Sequence, residues 1–141
     1  MDLSGRVLIA VVCLTMFAGF YSPAHAVQPL EFINKDHATL TDFPVEFESV
    51  ASVDLNNDRI DEYVTKSPDK GGLMHYNVVA LVDNSPTILG EFSGYKIEIS
   101  PQMTHNIHDI LIYKSLNNDF AYRTYQWHPL SSRYRLSGVS Q

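Results

Sequence analysis

Tyr95-Lys96-Ile97-Glu98-Ile99-Ser100 gives the clearest indication of the fold, because its large apolar side chains alternate with polar ones. Such alternation predicts a half-buried β-strand, since successive side chains of a strand point to opposite faces. Working outward, we predict further strands over residues 62–66, 76–82, 87–92, 108–114, 120–127 and 133–137. In the last of these, Tyr134 and Leu136 are expected to face inward.

Turn-forming residues separate these runs at intervals of roughly 10 residues, which is typical of an antiparallel meander. Turns are predicted at 67–72 and 83–86, and a tight turn at 93–95. We therefore predict a mainly β protein, an antiparallel meander of six to seven strands. The spacing fits a single sheet, a sandwich or propeller-like blades, and residues 27–41 favour a short N-terminal helix.

The N-terminus has the pattern of a secretory signal. Residues 7–21 are almost wholly apolar, and Ala24 and Ala26 form a small-x-small cleavage site. The apolar run is short for a bilayer span, so we predict a signal peptide over residues 1–26, cleaved after Ala26, and no membrane association afterwards. Residues 27–141 lack cysteine and are predicted to form a single β-rich domain, periplasmic or secreted.

Charge is unevenly distributed along the chain, whose formal net charge is −6. Residues 27–109 carry 14 acidic and 5 basic side chains, whereas residues 110–141 carry one acidic and four basic ones. An acidic body argues against general binding of nucleic acid, which requires a basic face. It favours a solvated acidic surface that can attract a cation or a basic protein.

One loop carries most of the chemical information. Asp54-Leu55-Asn56-Asn57-Asp58-Arg59-Ile60-Asp61-Glu62, hereafter the cation loop, has side-chain oxygens at its first, third, fifth and ninth positions. This spacing suits calcium, because a tight loop turns alternate oxygens inward and the seventh position offers a main-chain carbonyl. The predicted calcium ligands are Asp54, Asn56, Asp58, the carbonyl of Ile60, and Glu62.

The pattern Asp-Leu-Asn-x-Asp-x-x-x-Glu-Tyr of residues 54–63 resembles the calcium loop of FG-GAP/VCBS-type β-repeats. It is also similar to a group of small secreted bacterial proteins with one such loop ahead of a β-meander. Weaker similarities are Leu89-Gly90, Asn106-Ile107-His108-Asp109-Ile110, and Tyr125-Gln126-Trp127 followed by Tyr134. The resemblance covers residues 50–136 and implies a secreted β-protein with a single calcium loop.

Arg59 departs from the pattern of such loops, whose sixth position is normally glycine with positive φ. Arginine fits that conformation poorly and adds a positive charge, whereas Asn57 tolerates left-handed geometry and can take up part of the turn. Two interpretations stay open. The loop binds calcium weakly, with a dissociation constant on the order of 10⁻⁴ to 10⁻³ M as in extracellular modules, or side-chain-to-main-chain hydrogen bonds hold it.

Other polar clusters give less support to a reactive site. His105 and His108 would point to opposite faces of a strand without a third zinc ligand, so both are predicted at the surface. Residues 116–119 repeat Leu-Asn-Asn-Asp without flanking acids and predict a hairpin turn. The sequence contains no nucleophile elbow, phosphate loop or cysteine after residue 26, so we expect no enzyme activity.

These observations favour an exported, non-enzymatic domain that binds another protein, as an inhibitor or an immunity protein against a basic cell-wall-acting enzyme. The basic surface of such an enzyme would complement the acidic body. One alternative is a calcium-dependent glycan-binding or adhesion module. Another is a hydrolase, in which the fold would bring His108, Asp109 and a serine together in a pocket.

Overall fold

Nine strands form two antiparallel sheets in this computed structural model, which describes residues 29–38 and 45–140. The strands are β1 (Ile33–Asn34), β2 (Ser49–Val53), β3 (Glu62–Pro68), β4 (Met74–Val82), β5 (Ser85–Gly94), β6 (Lys96–Thr104), β7 (Ile107–Tyr113), β8 (Tyr122–His128) and β9 (Arg133–Val139). The first sheet contains β1 to β5 and the second β6 to β9, each in chain order. The prediction of a mainly β antiparallel meander is confirmed.

Two-residue turns explain why consecutive strands are neighbours. Asp83 and Asn84 join β4 to β5 with φ values of 51° and 62°, and His105 and Asn106 join β6 to β7 with 53° and 62°. Positive φ at both central residues gives a turn whose twist matches that of the flanking strands, and Asn and Asp tolerate it well. Local turn chemistry therefore produces the hairpins.

The chain crosses from the first sheet to the second at Gly94 and Tyr95. Ser93 and Gly94, predicted to lie in a tight turn, are the last residues of β5 and pair with β4. The Tyr95 N–H then donates to the Tyr113 carbonyl at 2.9 Å, which begins the second sheet. A side chain on buried Gly94 would meet Ile112 and come within 2.8 Å of the Tyr113 carbonyl, so glycine permits the close approach.

One hydrophobic core is shared by the two sheets. The first sheet contributes Val64, Tyr76, Val78 and Phe92; the second contributes Ile97, Ile99, Ile110, Ile112 and Tyr134; and Leu55 of the cation loop joins them. The rings of Phe92 and Tyr125 meet edge to face at 4.7 Å across the sheets. Of the predicted arrangements, this corresponds to a sandwich of two sheets.

Three expectations need correction. The short N-terminal helix is, within the described residues, a single 3₁₀ turn at Lys35–His37 after β1. Strand β2 was not predicted, because its small side chains lack strong alternation. Tyr134 is buried as predicted, but Leu136 is 53% exposed. It lies on β9, the edge strand of the second sheet, which among the described residues has a neighbouring strand on one flank only.

The predicted signal peptide, residues 1–26, lies outside the described residues. Among the residues that are described, no helix has the length and apolar character needed to cross a membrane.

Candidate cation loop and the adjoining cleft

The side-chain oxygens of the cation loop accept hydrogen bonds from the loop's own main chain. Asp54 accepts from the N–H groups of Asp58 at 3.2 Å and Arg59 at 2.8 Å. Asn56 Oδ1 accepts from the Asp58 N–H at 3.0 Å, and Asp58 Oδ1 accepts from the Ile60 N–H at 2.7 Å. Asn and Asp side chains close tight turns by such bonds. Each carboxylate oxygen keeps a second lone pair, so the same oxygens retain the capacity to face a cation.

Asn57 and Arg59 both adopt positive φ, at 60° and 70°. Asparagine visits this region readily, whereas the Cβ of arginine is crowded there at a cost of roughly 1–2 kcal/mol. The hydrogen bond from the Arg59 N–H to Asp54 offsets part of that cost. Arginine therefore takes the backbone conformation usual for the glycine position of calcium loops, and it does so under strain.

Leu55 fastens the cation loop to both sheets. Its side chain is 1% exposed and belongs to the shared core. Its N–H donates to Glu62 Oε2 at 2.8 Å, at the start of β3. Its carbonyl accepts from the His108 N–H at 2.8 Å, in β7 of the other sheet. The loop is thus held by the burial of Leu55, by a hydrogen bond to the Glu62 side chain in the first sheet, and by a main-chain hydrogen bond to His108 in the second.

Glu62 is the buried carboxyl group of the loop. It is 8% exposed, and burial raises its pKa from 4.5 to about 7, although the Leu55 N–H opposes the shift. The charges of Asp58 and Asp54 raise the pKa further, because like charges disfavour ionisation. A buried carboxyl group beside two other carboxylates gains from a cation more than an exposed one would.

The predicted ligands suit calcium in chemistry, because all five donors are oxygen and three are carboxylates. Within the described residues, however, no group of three His, Cys, Asp or Glu side chains converges as a metal site would require. The Glu62 carboxylate accepts from the Leu55 N–H, and the Asp54 carboxylate accepts from the N–H groups of Asp58 and Arg59. Ligation by Asp54, Asn56, Asp58, Ile60 and Glu62 stays a prediction, and it needs these oxygens to draw closer together.

His108 is buried at 4% exposure, which corrects its predicted place at the surface, whereas His105 is exposed in a turn. Alternate positions of β7 face the core, and the His108 Nδ1 donates to the Ser100 carbonyl at 2.8 Å. Asp109 faces the other way and accepts from Gln126 Nε2 at 3.1 Å. His108 therefore meets a main-chain oxygen of Ser100, and this group does not assemble the Ser-His-Asp arrangement expected of a hydrolase.

A cleft of about 370 Å³ opens beside the cation loop, and we name it the acidic cleft. The loop contributes Leu55, Asn56, Asp58, Ile60, Asp61 and Glu62, and strands and turns of both sheets contribute Ala80, Leu81, Val82, Thr87, Leu89, Ile107, Trp127 and Ser132. Among the residues that the structure describes, three carboxyl groups and no basic side chain line it. The cleft therefore combines negative charge with an apolar wall.

Comparisons with known protein families, curated proteins and solved structures find no match for this chain. The resemblance to FG-GAP/VCBS repeats stays a prediction.

The residues of the cation loop that line the cleft were predicted as site residues or neighbours of them, whereas the lining residues from the strands were not. Ala80, Leu81, Ile107 and Trp127 belong to strands that contact the loop only in the fold. Each was predicted within or beside a strand, but strand alternation does not show which loop a strand end meets. The Tyr125-Gln126-Trp127 motif was the one available signal, because a lone tryptophan near a strand end often lines a binding surface.

A larger cavity of about 700 Å³ lies elsewhere, between the N-terminal segment and β6. Its lining includes Phe32, Tyr76 and Ile97, together with Lys66, Lys96 and Glu98. Lys66 lies over the Phe32 ring at 4.4 Å, and Lys96 forms an ion pair with Glu98. These charged groups already have partners, so the acidic cleft is the stronger candidate for recognition.

Proposed function

We propose that this chain is an exported, non-enzymatic β-domain that binds another protein through the end of the molecule carrying the acidic cleft. Inhibition of, or immunity against, a basic cell-wall-acting enzyme is the form of this function that the charge favours. The cation loop serves as a structural brace, with calcium as its weakly bound ion. Connecting loops on a rigid scaffold are a common place for recognition.

The observation that carries the proposal is a group of exposed apolar side chains on the rim of the cleft. Ile60 is 64% exposed, Val82 53% and Leu81 38%, and all three line the same cleft. Contiguous apolar surface bordered by polar groups is typical of protein-interaction sites. Since Leu55 anchors the loop to both sheets, this surface is presented on a fixed frame.

Capture from a bacterial periplasm tests the proposal. The full chain carries a C-terminal tag and is purified in parallel with calcium and with chelator, and co-purifying proteins are identified by mass spectrometry. Ile60→Asp is expected to lose the partner, because it places a charge on the apolar rim. Leu116→Asp is the matched control, since Leu116 is 71% exposed on the β7–β8 connection, away from the cleft.

A stoichiometric partner in both conditions, retained by the control and lost by Ile60→Asp, supports a protein-binding domain with a structural calcium loop. Equal capture by the two variants places recognition away from the cleft. Absence of any partner in either condition contradicts the protein-binding function.

The bracing role has its own test. Asp54 and Asp58 hold three of the loop amides, so replacing both with Ala is expected to lower the melting temperature in chelator. The wild-type chain is expected to gain thermal stability with millimolar calcium, and the double variant is not. If calcium leaves the wild-type melting temperature unchanged, the loop is braced by hydrogen bonds alone.

A calcium-dependent glycan-binding or adhesion module is the second candidate, and one observation favours it. Asn56, Asp58, Ile60 and Glu62 are predicted ligands and also line the cleft, so an ion held there would face a bound ligand. A glycan array read with calcium and with chelator separates the two functions. Glycan binding that chelator removes supports the second candidate.

A further inference from the structure

We propose that the acidic cleft receives a lysine or arginine side chain of the bound protein, with Asp58, Asp61 and Glu62 supplying the counter-charge. This inference rests on the proposed protein-binding function and names the chemistry of the contact. The partner is a protein with a basic side chain flanked by apolar residues.

The charge of the acidic cleft favours a cationic ligand. Three carboxyl groups line the cleft without a basic side chain among its lining residues. Asp61 is exposed, and it has no hydrogen-bond or ion-pair partner among the described residues, so its charge is available to a ligand. Glu62, 8% exposed, places a carboxyl group in the inner wall. An anionic ligand would be repelled here and a cationic one attracted.

The apolar wall of the acidic cleft favours a long basic side chain. The lining residues outside the loop include the apolar side chains of Ala80, Leu89, Ile107 and Trp127. Lysine and arginine bury their methylene stems against apolar surface while the charged head reaches polar groups, and tryptophan attracts such cations by its ring face. A long basic side chain would pack its methylene stem against this wall while its charged head meets the carboxyl groups.

The size and surroundings of the cleft suit the side chain of a partner protein. The volume of about 370 Å³ is at the lower end of ligand pockets, which span roughly 300–1,000 Å³. It suits a single anchoring side chain. Exposed Ile60 and Val82 at the mouth would then meet apolar neighbours of that side chain. A central anchor surrounded by apolar contacts is the usual anatomy of a binding hot spot.

Trp127 makes the proposal directly measurable, because it is the only tryptophan of the chain and lines the cleft. The probe is the synthetic pentapeptide acetyl-Gly-Leu-Lys-Leu-Gly-amide, titrated in chelator-containing, low-salt buffer against Trp127 fluorescence. The matched peptide has glutamine in place of lysine. We expect saturable binding of the lysine peptide and at least ~10-fold weaker binding of the glutamine peptide, as for hydrogen bonds to charged groups.

Asp61→Asn tests the site within the protein. It removes a charge from an exposed residue that is not a predicted calcium ligand, so the fold is expected to keep its stability. We expect the lysine peptide to bind about 5-fold more weakly or worse. Asp119→Asn is the matched control, because Asp119 is exposed on the β7–β8 connection. The affinity of this variant for the lysine peptide is expected to stay within roughly 2-fold of the wild-type value.

Equal binding of the two peptides, equal effects of the two variants, or no saturable signal up to ~10 mM peptide overturns the inference. A failure of this inference can be distinguished from a failure of the proposed protein-binding function. A protein partner captured equally by wild type and Asp61→Asn upholds protein binding and rejects the basic anchor. Asp61-dependent peptide binding without a captured protein upholds the anchor and rejects the proposed partner.

Discussion

At the residue scale, two residues of the cation loop are held in energetically unfavourable states. Arg59 adopts the left-handed conformation that glycine would take without strain. Glu62 buries a carboxyl group beside Asp54 and Asp58, where ionisation is costly. The loop tolerates both because Leu55 and the hydrogen bonds of its Asx turns hold it in place. The strained backbone at Arg59 and the buried carboxyl group of Glu62 each have a measurable consequence.

Arg59→Gly is expected to raise the free energy of unfolding by about 0.5–1 kcal/mol, because glycine has no Cβ to crowd the backbone at positive φ. Chemical denaturation in chelator measures the change. Arg59→Ala is the control, since it removes the charge and keeps the Cβ. An equal gain in the two variants would assign the effect to charge and contradict the backbone explanation.

Glu62 is expected to make stability fall as pH rises, in the absence of calcium. Its folded pKa of about 7 lies above the ordinary value of 4.5, so the folded state holds this proton more tightly than the unfolded state does. The stabilisation is present below pH 4.5 and is lost between 4.5 and 7. At about 1.4 kcal/mol per unit, the loss approaches ~3 kcal/mol.

Urea unfolding at pH 5 and at pH 8 measures this loss. Glu62→Gln cannot titrate and is expected to show a smaller fall in unfolding free energy between the two pH values. If wild type and variant fall by the same amount, the pH dependence comes from other groups.

At the element scale, the step from β5 to β6 decides that the chain forms two sheets. Gly94 ends the first sheet, and Tyr95 begins the second by donating to the Tyr113 carbonyl. The backbones approach so closely here that a side chain at position 94 would come within 2.8 Å of that carbonyl. The Ser93-Gly94-Tyr95 step is therefore the point at which the chain crosses from one sheet to the other.

Gly94→Ala is expected to lower the free energy of unfolding by about 1–3 kcal/mol, the usual range for overpacking a tight site. Gly138→Ala in β9 is the matched control, because a side chain there meets nothing within 4 Å. Its effect is expected to be near zero or slightly stabilising. Thermal denaturation of both variants compares them, and similar losses would mean that the crossing is not tightly packed.

At the scale of the whole molecule, the shared core and the cation loop join two meanders into one folding unit. Leu55 is nearly inaccessible and packs with residues of both sheets. Its main chain also bonds to Glu62 and to His108. A chain with one core is expected to unfold in a single cooperative transition.

Leu55→Ala is expected to cost about 2–5 kcal/mol, as for other fully buried leucines. Trp127 fluorescence follows the second sheet and far-UV circular dichroism follows both. We expect the two signals to shift together in urea. Separate transitions in the variant would show that the sheets fold independently. Leu130→Ala is the control, since Leu130 is 95% exposed.

The features that depend on neighbouring residues could be predicted from the amino-acid sequence. Alternation around Ile97 and Ile99 predicted a half-buried strand, and Asn and Asp at the turns predicted hairpins, because both signals act within a few residues. The spacing of oxygens in the cation loop also marked the candidate site. β2 escaped prediction because its small side chains carry little local pattern.

The folded structure was needed to show which distant residues meet. It placed Leu55 in the core, buried His108 against Ser100, and brought Trp127 to the wall of a cleft beside Asp61. These contacts join residues far apart in the chain, so no local periodicity encodes them. The environment of Glu62 follows from the same cause: its charge is costly because the packing of two sheets removes water from around it.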